Sequence, residues 1–531
     1  MKKEFKLFLT VWVVYVFYLQ MVGNSHMAIN QSALAASIVN EGSFEIDKYY
    51  RAAAGGVSFY NGHYYSVQAP GISFISVPLY LLGKMIFNYL PDNLVNPLLE
   101  KLDKYGETLP PDYLGNKKVP TEYFPDLSKR QILEYILISG SILPVVTTAL
   151  FSAVTAVLLY SVLRFFTSSE SLRVVITLFY AFGTLIFPLS TEYFERPIAI
   201  MFMFSAFVIL FMIRHDKLKA KGSTVFAAGM LAGLSSWFDY LHLFAAGLMF
   251  LYFLSFYAEF NLFNRKNYNK FLIFNLSKQR ISLLYKFLIG AVIAILPILV
   301  YYYIIFDNPF TQSYAYTLIP ESVHKISDIG KINLPTGATI FHILAFFIFS
   351  PVILFAFYGL YKAVKEKDRH NKDAKFIALL VILTFIYAFV LSLVYPVTIA
   401  PSFKRYMTPI LPFIFMFMPY IFPDNKFPKK ALFKMIFIGV AVISIFLNWT
   451  SAQFGGHQGL GHFDLTTKKF EVIPQFLENG PSSGFLTTLA KSFGWDALTL
   501  NIIGLLILAF IILLIWKPYI RNKNVSSRFV N

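Results

Sequence analysis

Four short stretches place ionisable side chains at the edges of long apolar runs. "PLSTEYFERPIAI" offers Glu192, Glu195 and Arg196 within about one helical turn, and "SSWFDYLHL" offers Asp239, Tyr240 and His242. "APSFKRYMTP" adds Lys404, Arg405 and Tyr406, and "NEGSFEIDKYYR" adds Glu41, Glu45 and Asp47. Carboxylates of this kind can take a proton from a hydroxyl, and neighbouring cations can hold a phosphate. A charge at the centre of a membrane helix costs about 2.5–3.5 kcal/mol on insertion scales, so charges beside apolar runs need a reason. Glu192 and Arg196 could neutralise each other at i, i+4, and Asp239 could be solvated by headgroups in a short hairpin. Glu41 and Glu45 suit a solvated face.

The elements that position these residues follow from composition. The chain has 531 residues, 56% hydrophobic and only 14% charged, with 58 Phe and 33 Tyr. That is the profile of an all-α polytopic membrane protein without a soluble domain. The net charge of +17 gathers in short loops, where it sets orientation and gives no sign of nucleic-acid binding. With no cysteine, disulfides, thiol nucleophiles and thiolate metal sites are excluded. "MKKEF" and the apolar run after it lack a small-residue cleavage site, which predicts a retained anchor.

Hydropathy predicts spans at 7–22, 133–163, 172–189, 198–213, 223–238, 241–256, 287–306, 339–363, 376–396, 408–423, 431–448 and 498–516. That is about twelve transmembrane helices. The basic loops 214–222, 261–286, 362–375 and 424–434 and the tail after Trp516 then share one side. Both termini are expected in the cytoplasm of a cell-membrane protein. The apolar run 71–89 would invert that order as a span, so it is read as an interfacial helix. The expected organisation is a first helix (1–22), an external loop with amphipathic helices (23–132), a transmembrane core (133–423), and C-terminal helices with an external loop at 449–497 (424–531). Lys404 and Arg405 break the positive-inside trend, which marks them as anion-binding candidates.

In "FYNGHYYSVQAPG", Asn61 and Gly62 tolerate positive φ and predict a hairpin, and Pro70-Gly71 predicts the start of a helix. His63, Tyr64, Tyr65 and Gln68 on this knuckle, together with Tyr240, are candidate substrate-binding residues. His457, His462 and Asp464 match no strong metal motif, and the Asn448 sequon is short enough to arise by chance. No phosphate-cradling glycine loop is present in the sequence.

In order, "GSFEIDKYY", "YNGHYYSVQAPGISFISVPLY", "FGTLIFPLSTEYFERP", "GLSSWFDY", "DNPFTQSYAY" and "PSFKRYMTPILPF" resemble the membrane glycosyltransferases of the C superfamily. The nearest patterns are those of the protein O-mannosyltransferases and lipid A aminoarabinose transferases, over most of residues 20–415. The resemblance implies a glycosyltransferase-C-like fold and inverting, metal-independent sugar transfer outside the cytoplasm. The donor would be a polyprenyl-phosphate sugar and the acceptor a protein, lipid or glycan, with no cofactor. Arg405, with Lys404 or Arg196, would stabilise the leaving phosphate. Where the family places a carboxylate after the first span, this chain has Asn24, His26, Asn30 and Gln31. The base is therefore expected among Glu192, Glu195, Asp239 and Asp47. Two further readings are a binder of lipid-linked sugars, or envelope-assembly protein, without turnover, and a secondary transporter.

Overall fold

The computed structural model describes residues 2–20, 26–53, 57–102, 120–260, 272–274, 277–317, 337–394, 403–422, 431–454, 463–464, 469–470 and 484–528. These residues are mostly helical, with three small two-stranded pairs. The helices used below are α1 (Lys3–Phe17), α2 (His26–Glu41), α3 (Gly71–Asn88), α4 (Asp92–Glu100) and α5 (Lys129–Phe165). They continue with α6 (Glu170–Phe182), α7 (Arg196–Arg214), α8 (Gly222–Ser235), α9 (Leu241–Leu254) and α10 (Lys278–Phe306). The last six are α11 (Gly337–Ile348), α12 (Ile353–Lys365), α13 (Asn371–Val394), α14 (Ala431–Phe454), α15 (Gly484–Phe493) and α16 (Ala497–Arg528).

Among the described residues, 7 helices are long and apolar enough to cross a membrane: α3, α5, α7, α10, α13, α14 and α16. That is the equipment of a membrane protein, but it differs from the expected twelve spans. Helices α1 and α6 have 15 and 13 residues, and α8 and α9 have 14 each. The expected span 339–363 is broken into α11 and α12 around Ser350-Pro351, where proline cannot continue the hydrogen-bond ladder. The expected span 408–423 is a chain of short turns, Thr408–Ile410, Leu411–Phe415 and Met418–Ile421, each containing a proline. Its residues Leu411 to Met418 are buried. Irregular backbone is tolerated at such depth only inside protein. Segment 71–89, read as interfacial, forms an 18-residue helix with Leu81, Leu82, Met85 and Ile86 exposed on one face.

Two hydrophobic cores organise the chain. One is the bundle core, built from α1, α5 to α9, α12 to α14 and the proline-broken segment. The other gathers α2, α3, α4, the first part of α5, residues 193–199, Phe238 and the end of α10. Between them, α5 contains two widened π turns, Ile138–Ile142 and Val145–Ala149, either side of Pro144. The missing proline N–H accounts for the disturbed ladder. Thr148, in the second of these turns, donates to the Phe194 carbonyl and accepts from the Phe194 N–H, both at 3.1 Å.

Helices α8 and α10 pack backbone to backbone through glycines. A Cβ on Gly229 would stand 2.0 Å from the Phe287 carbonyl oxygen, and one on Gly290 would stand 2.3 Å from that of Phe226. Gly247 on α9 meets nothing within 4 Å. Gly229→Ala is therefore expected to destabilise by about 1–3 kcal/mol through overpacking. Gly247→Ala is expected to be neutral or to stabilise by up to about 1 kcal/mol, through helix propensity alone. Thermal unfolding of the two variants in one detergent checks the contrast.

Candidate functional site

The hairpin forms as its sequence predicts. Strands β1 (Val57–Tyr60) and β2 (His63–Ser66) pair antiparallel with Tyr60 opposite His63, and both turn residues take positive φ, Asn61 at 50° and Gly62 at 88°. Pro70-Gly71 then opens α3, and the Gly71 N–H donates to the Trp237 carbonyl at 2.7 Å. A Cβ at Gly71 would fall 2.4 Å from that same oxygen, so only glycine permits this approach. The knuckle is thereby clamped to the turn that carries Asp239 and Tyr240.

Asp47 and three of the knuckle's aromatic residues serve the hairpin itself. Asp47 accepts from the Tyr64 N–H at 2.7 Å and lies 2.8 Å from His63 Nδ1, with Glu45 at 3.4 Å from the same nitrogen. The hydrogen bond to Asp47 raises the His63 pKa above its ordinary value. The Tyr64 ring stacks on Tyr50 at 3.8 Å, and Tyr65, on the opposite strand face, packs edge-on against Phe306. Among the described residues, Asp47, His63 and Tyr64 make no hydrogen bond, ion pair or ring contact with Arg196. Gln68 alone reaches the inner cluster, accepting a long 3.5 Å bond from the Tyr314 hydroxyl.

That inner cluster gathers around Arg196, the first residue of α7. Its Nε lies 2.9 Å from Asp239 Oδ2, with both side chains largely buried. Arg196 therefore pairs with the α8–α9 turn, and not with Glu192 one turn away in sequence. Its guanidinium stands 4.2 Å from the Tyr406 ring centre, a cation–π contact. Glu195, buried at the N-cap of α7, accepts from Gln31 Nε2 at 2.7 Å. Burial raises the Glu195 pKa, against the lowering effects of Arg196 and the Gln31 hydrogen bond. Arg405, at the start of the proline-broken segment, is pushed down to about 10 by burial and by Arg196, so it stays a cation at neutral pH. Glu192 and Glu195 are near enough to act on it. Burial, with Tyr406, Asp239 and Glu195, raises the Tyr314 hydroxyl. Tyr240 completes the wall: its hydroxyl bonds that of Tyr302, and its ring meets Tyr314 edge-on. The Lys404 side chain lies outside the described residues, as do Asn24, the His26 side chain, His457, His462 and the Asp464 side chain.

Several buried polar atoms in this cluster have no hydrogen-bond partner among the described residues: Arg196 Nη1, Gln31 Oε1 and both ring nitrogens of His242, while Arg196 Nε and Asp239 Oδ2 have only each other. Leaving such groups unsatisfied costs about 1–3 kcal/mol each, more for charges, and a polar ligand would relieve it. The arrangement joins an acid held at one oxygen, two guanidiniums and several open donors and acceptors. Gln31 and His242 gain their place here from geometry. The sequence signal was a polar pair, Asn30-Gln31, inside an otherwise small and apolar helix.

A second charged cluster caps the far end of α7, eighteen residues or about 27 Å away. Asp373, fully buried, lies 3.3 Å from Arg214 Nη1 and 2.8 Å from His215 Nε2, and accepts from Tyr252 at 2.7 Å. His215, His370 and Asp373 lie near enough to share a metal ion, as do Glu45, Asp47 and His63. In the buried set, however, Arg369 Nε donates to His370 Nε2 at 3.0 Å and Arg214 stands on the carboxylate. Two guanidiniums oppose a divalent cation there. The segments 214–222 and 362–375, read as basic loops that set orientation, thus contribute a buried strut. Asn448 is buried as well, its Nδ2 donating to Phe349, Ser350 and Ser444, so the sequon cannot carry a glycan in this fold.

Two outcomes are expected. Arg196→Met strands the Asp239 charge and costs about 3–5 kcal/mol, and adding Asp239→Asn recovers most of it. Equal unfolding temperatures for the single and double variants would contradict the pairing. Asp47→Asn removes the bond that raises His63, so the imidazole pKa followed by NMR falls toward its ordinary value.

Compared with protein-family models and with curated proteins, the chain matches none.

Proposed function

We propose that the protein transfers a sugar from a polyprenyl-phosphate donor to an acceptor hydroxyl at the outer face of the membrane, without a metal and with inversion. The observation that carries this reading is the convergence of Gln31, Glu195, Arg196, Asp239 and Arg405 from four separate segments into one buried polar cluster beside the bundle. In this reading Glu195 takes the proton of the acceptor hydroxyl as its oxygen attacks the anomeric carbon. The bond from that carbon to the phosphate oxygen breaks, and the phosphate leaves with the electron pair. Arg196 and Arg405 face the charge that develops on it. Asp239 keeps Arg196 in place, and Tyr240, Tyr314 and Gln68 line the sugar side. The cytoplasmic termini and outward active face belong to the same proposal, supported by the basic loops, which share one side when 71–89 lies in the interface and the twelve spans read from hydropathy hold.

The fit with the family's order of motifs supports the reading, and so does Glu195, whose raised pKa suits a base nearer neutral pH. A second reading, binding of a lipid-linked sugar without turnover, is favoured by one fact. Asp239 and Glu195 are each already engaged, by Arg196 and Gln31.

Release of polyprenyl phosphate from a panel of donor sugars, by the full chain in nanodiscs, separates the two. Glu195→Gln is expected to lower kcat by on the order of 10²–10⁴-fold with donor binding retained. Tight donor binding with no turnover for any sugar would favour the second reading. Because the base acts when ionised, activity should rise with pH along an acid limb above the ordinary carboxylate range. Gln31→Leu removes a bond that favours the charged form and should move that limb to higher pH.

A further inference from the structure

The first turns of α5 carry a charge that the rest of the fold leaves unanswered. A capping box at Ser128 starts the helix, so Arg130 and Glu134 fall one turn apart on the same face. The two do not pair. Arg130 reaches Asp92 at 3.5 Å and stands 5.5 Å from the Phe87 ring centre. Glu134 is only 7% exposed, and it makes no hydrogen bond or ion pair with any described residue. Taking a carboxylate out of water without a partner is costly, so buried charges are as a rule paired.

The groups around Glu134 come from three further segments. Tyr49 and Tyr80 are both buried and within its electrostatic reach. The Tyr80 hydroxyl has no hydrogen-bond partner among the described residues, because Asn40 stands near it without closing a bond in good geometry. Asn40 is spent elsewhere: it accepts from Lys84 Nζ at 2.6 Å and donates to the Tyr49 hydroxyl at 3.3 Å. Lys84 and Arg130 act on Glu134 from the exposed rim of the cluster. On α3, Leu81, Leu82, Met85 and Ile86, within one turn of Lys84, are about half exposed. The cluster therefore opens beside an apolar face of a helix that suits the membrane interface. Asn40 lies nine residues, or about 14 Å, beyond Gln31 along α2, so this is not the Arg196 site.

We infer that this cluster binds the headgroup of a phospholipid bearing a primary amine, with the ammonium on Glu134 and the phosphodiester on Lys84 and Arg130. The order of charges selects the ligand. The buried carboxylate and the open Tyr80 hydroxyl ask for a cation that also donates hydrogen bonds, whereas the two cations at the rim ask for an anion. An ethanolamine head carries both, its ammonium outermost and its phosphate next to the chains, and the chains then cover the apolar face of α3. A choline head has no N–H to donate, and a glycerol head brings no cation to Glu134. The inference does not depend on the transfer reading.

The test uses the full chain in detergent with equal amounts of dioleoyl phosphatidylethanolamine, phosphatidylcholine and phosphatidylglycerol, and counts the lipids retained by native mass spectrometry. The ethanolamine lipid should be retained about tenfold more tightly than the choline lipid. Glu134→Gln should bring that ratio close to one, and Lys84→Gln should weaken both lipids while leaving their ratio unchanged. Tyr80→Phe, which removes only a hydroxyl, should narrow the ratio by about two- to tenfold, and it keeps the test open where Glu134→Gln does not fold. A phosphatidylethanolamine with a diazirine on its acyl chain should label residues 81–86. Equal retention of ethanolamine and choline lipids would overturn the inference, as would tighter retention of phosphatidylglycerol. So would an undiminished ratio in folded Glu134→Gln or Tyr80→Phe, or labelling confined to other helices. Displacement by an equal amount of phosphoethanolamine, which has the head and no chains, would overturn the assignment to a lipid.

Discussion

The Arg196–Asp239 ion pair sits where the two hydrophobic cores meet, and much of the surrounding structure depends on it. Taking two charges out of water costs several kcal/mol per ion unless neighbours compensate. The Tyr406 ring against the guanidinium and the Leu241 N–H on the other carboxylate oxygen supply part of that compensation. The pair fixes α7 against the α8–α9 turn. The same turn receives Gly71, two residues from Asp239, and so fixes the hairpin and α3. Tyr193, three residues before Arg196, closes the circuit by donating to Ile72 and Ser76 of α3. A contact between two bundle elements therefore also sets how the first loop's layer lies on the bundle.

Helix α7 carries charge at both ends, and the two ends are built differently. At the Arg214 end, Asp373 is enclosed by a guanidinium, an imidazole and a tyrosine hydroxyl, so its lone pairs are spent inside the protein, and His370 Nδ1 is left without a hydrogen-bond partner among the described residues. At the Arg196 end, beyond the ion pair itself, a guanidinium nitrogen, an amide oxygen and an imidazole have no hydrogen-bond partner among the described residues. Satisfied buried networks rigidify a fold, whereas unsatisfied ones call for a ligand or a strain account. That contrast separates a strut from a site more firmly than the residue types do, since both ends contain Arg, His and Asp.

Local features were legible in the sequence and long-range pairing was not. Asn61-Gly62 and Pro70-Gly71 act through φ preferences within a few residues, and the hairpin and the start of α3 follow them. Glu195, Arg196, Asp239 and Arg405 stood out as charges beside apolar runs, and the structure brings them together. What pairs with Arg196 could not be read, because the i, i+4 partner Glu192 competes with an aspartate more than forty residues away. Asp47 looked like a reacting acid, yet its spacing to His63 and Tyr64 makes it a clasp for the hairpin. The broken backbone of 408–423 was not legible because hydropathy counts apolar residues and ignores what Pro409, Pro412 and Pro419 do to the ladder. Asp373 was hidden in a basic run, where only tertiary packing distinguishes a buried carboxylate from a solvated one.

The central claim is that the Arg196 end of α7 holds the head of an anionic lipid. A cryo-electron microscopy map of the full chain in nanodiscs with farnesyl phosphate tests it most directly. The account predicts phosphate density in contact with Arg196 and Arg405. Phosphate bound beside Arg214 and Arg369, with the Arg196–Asp239 pair undisturbed and no density near it, would contradict the account.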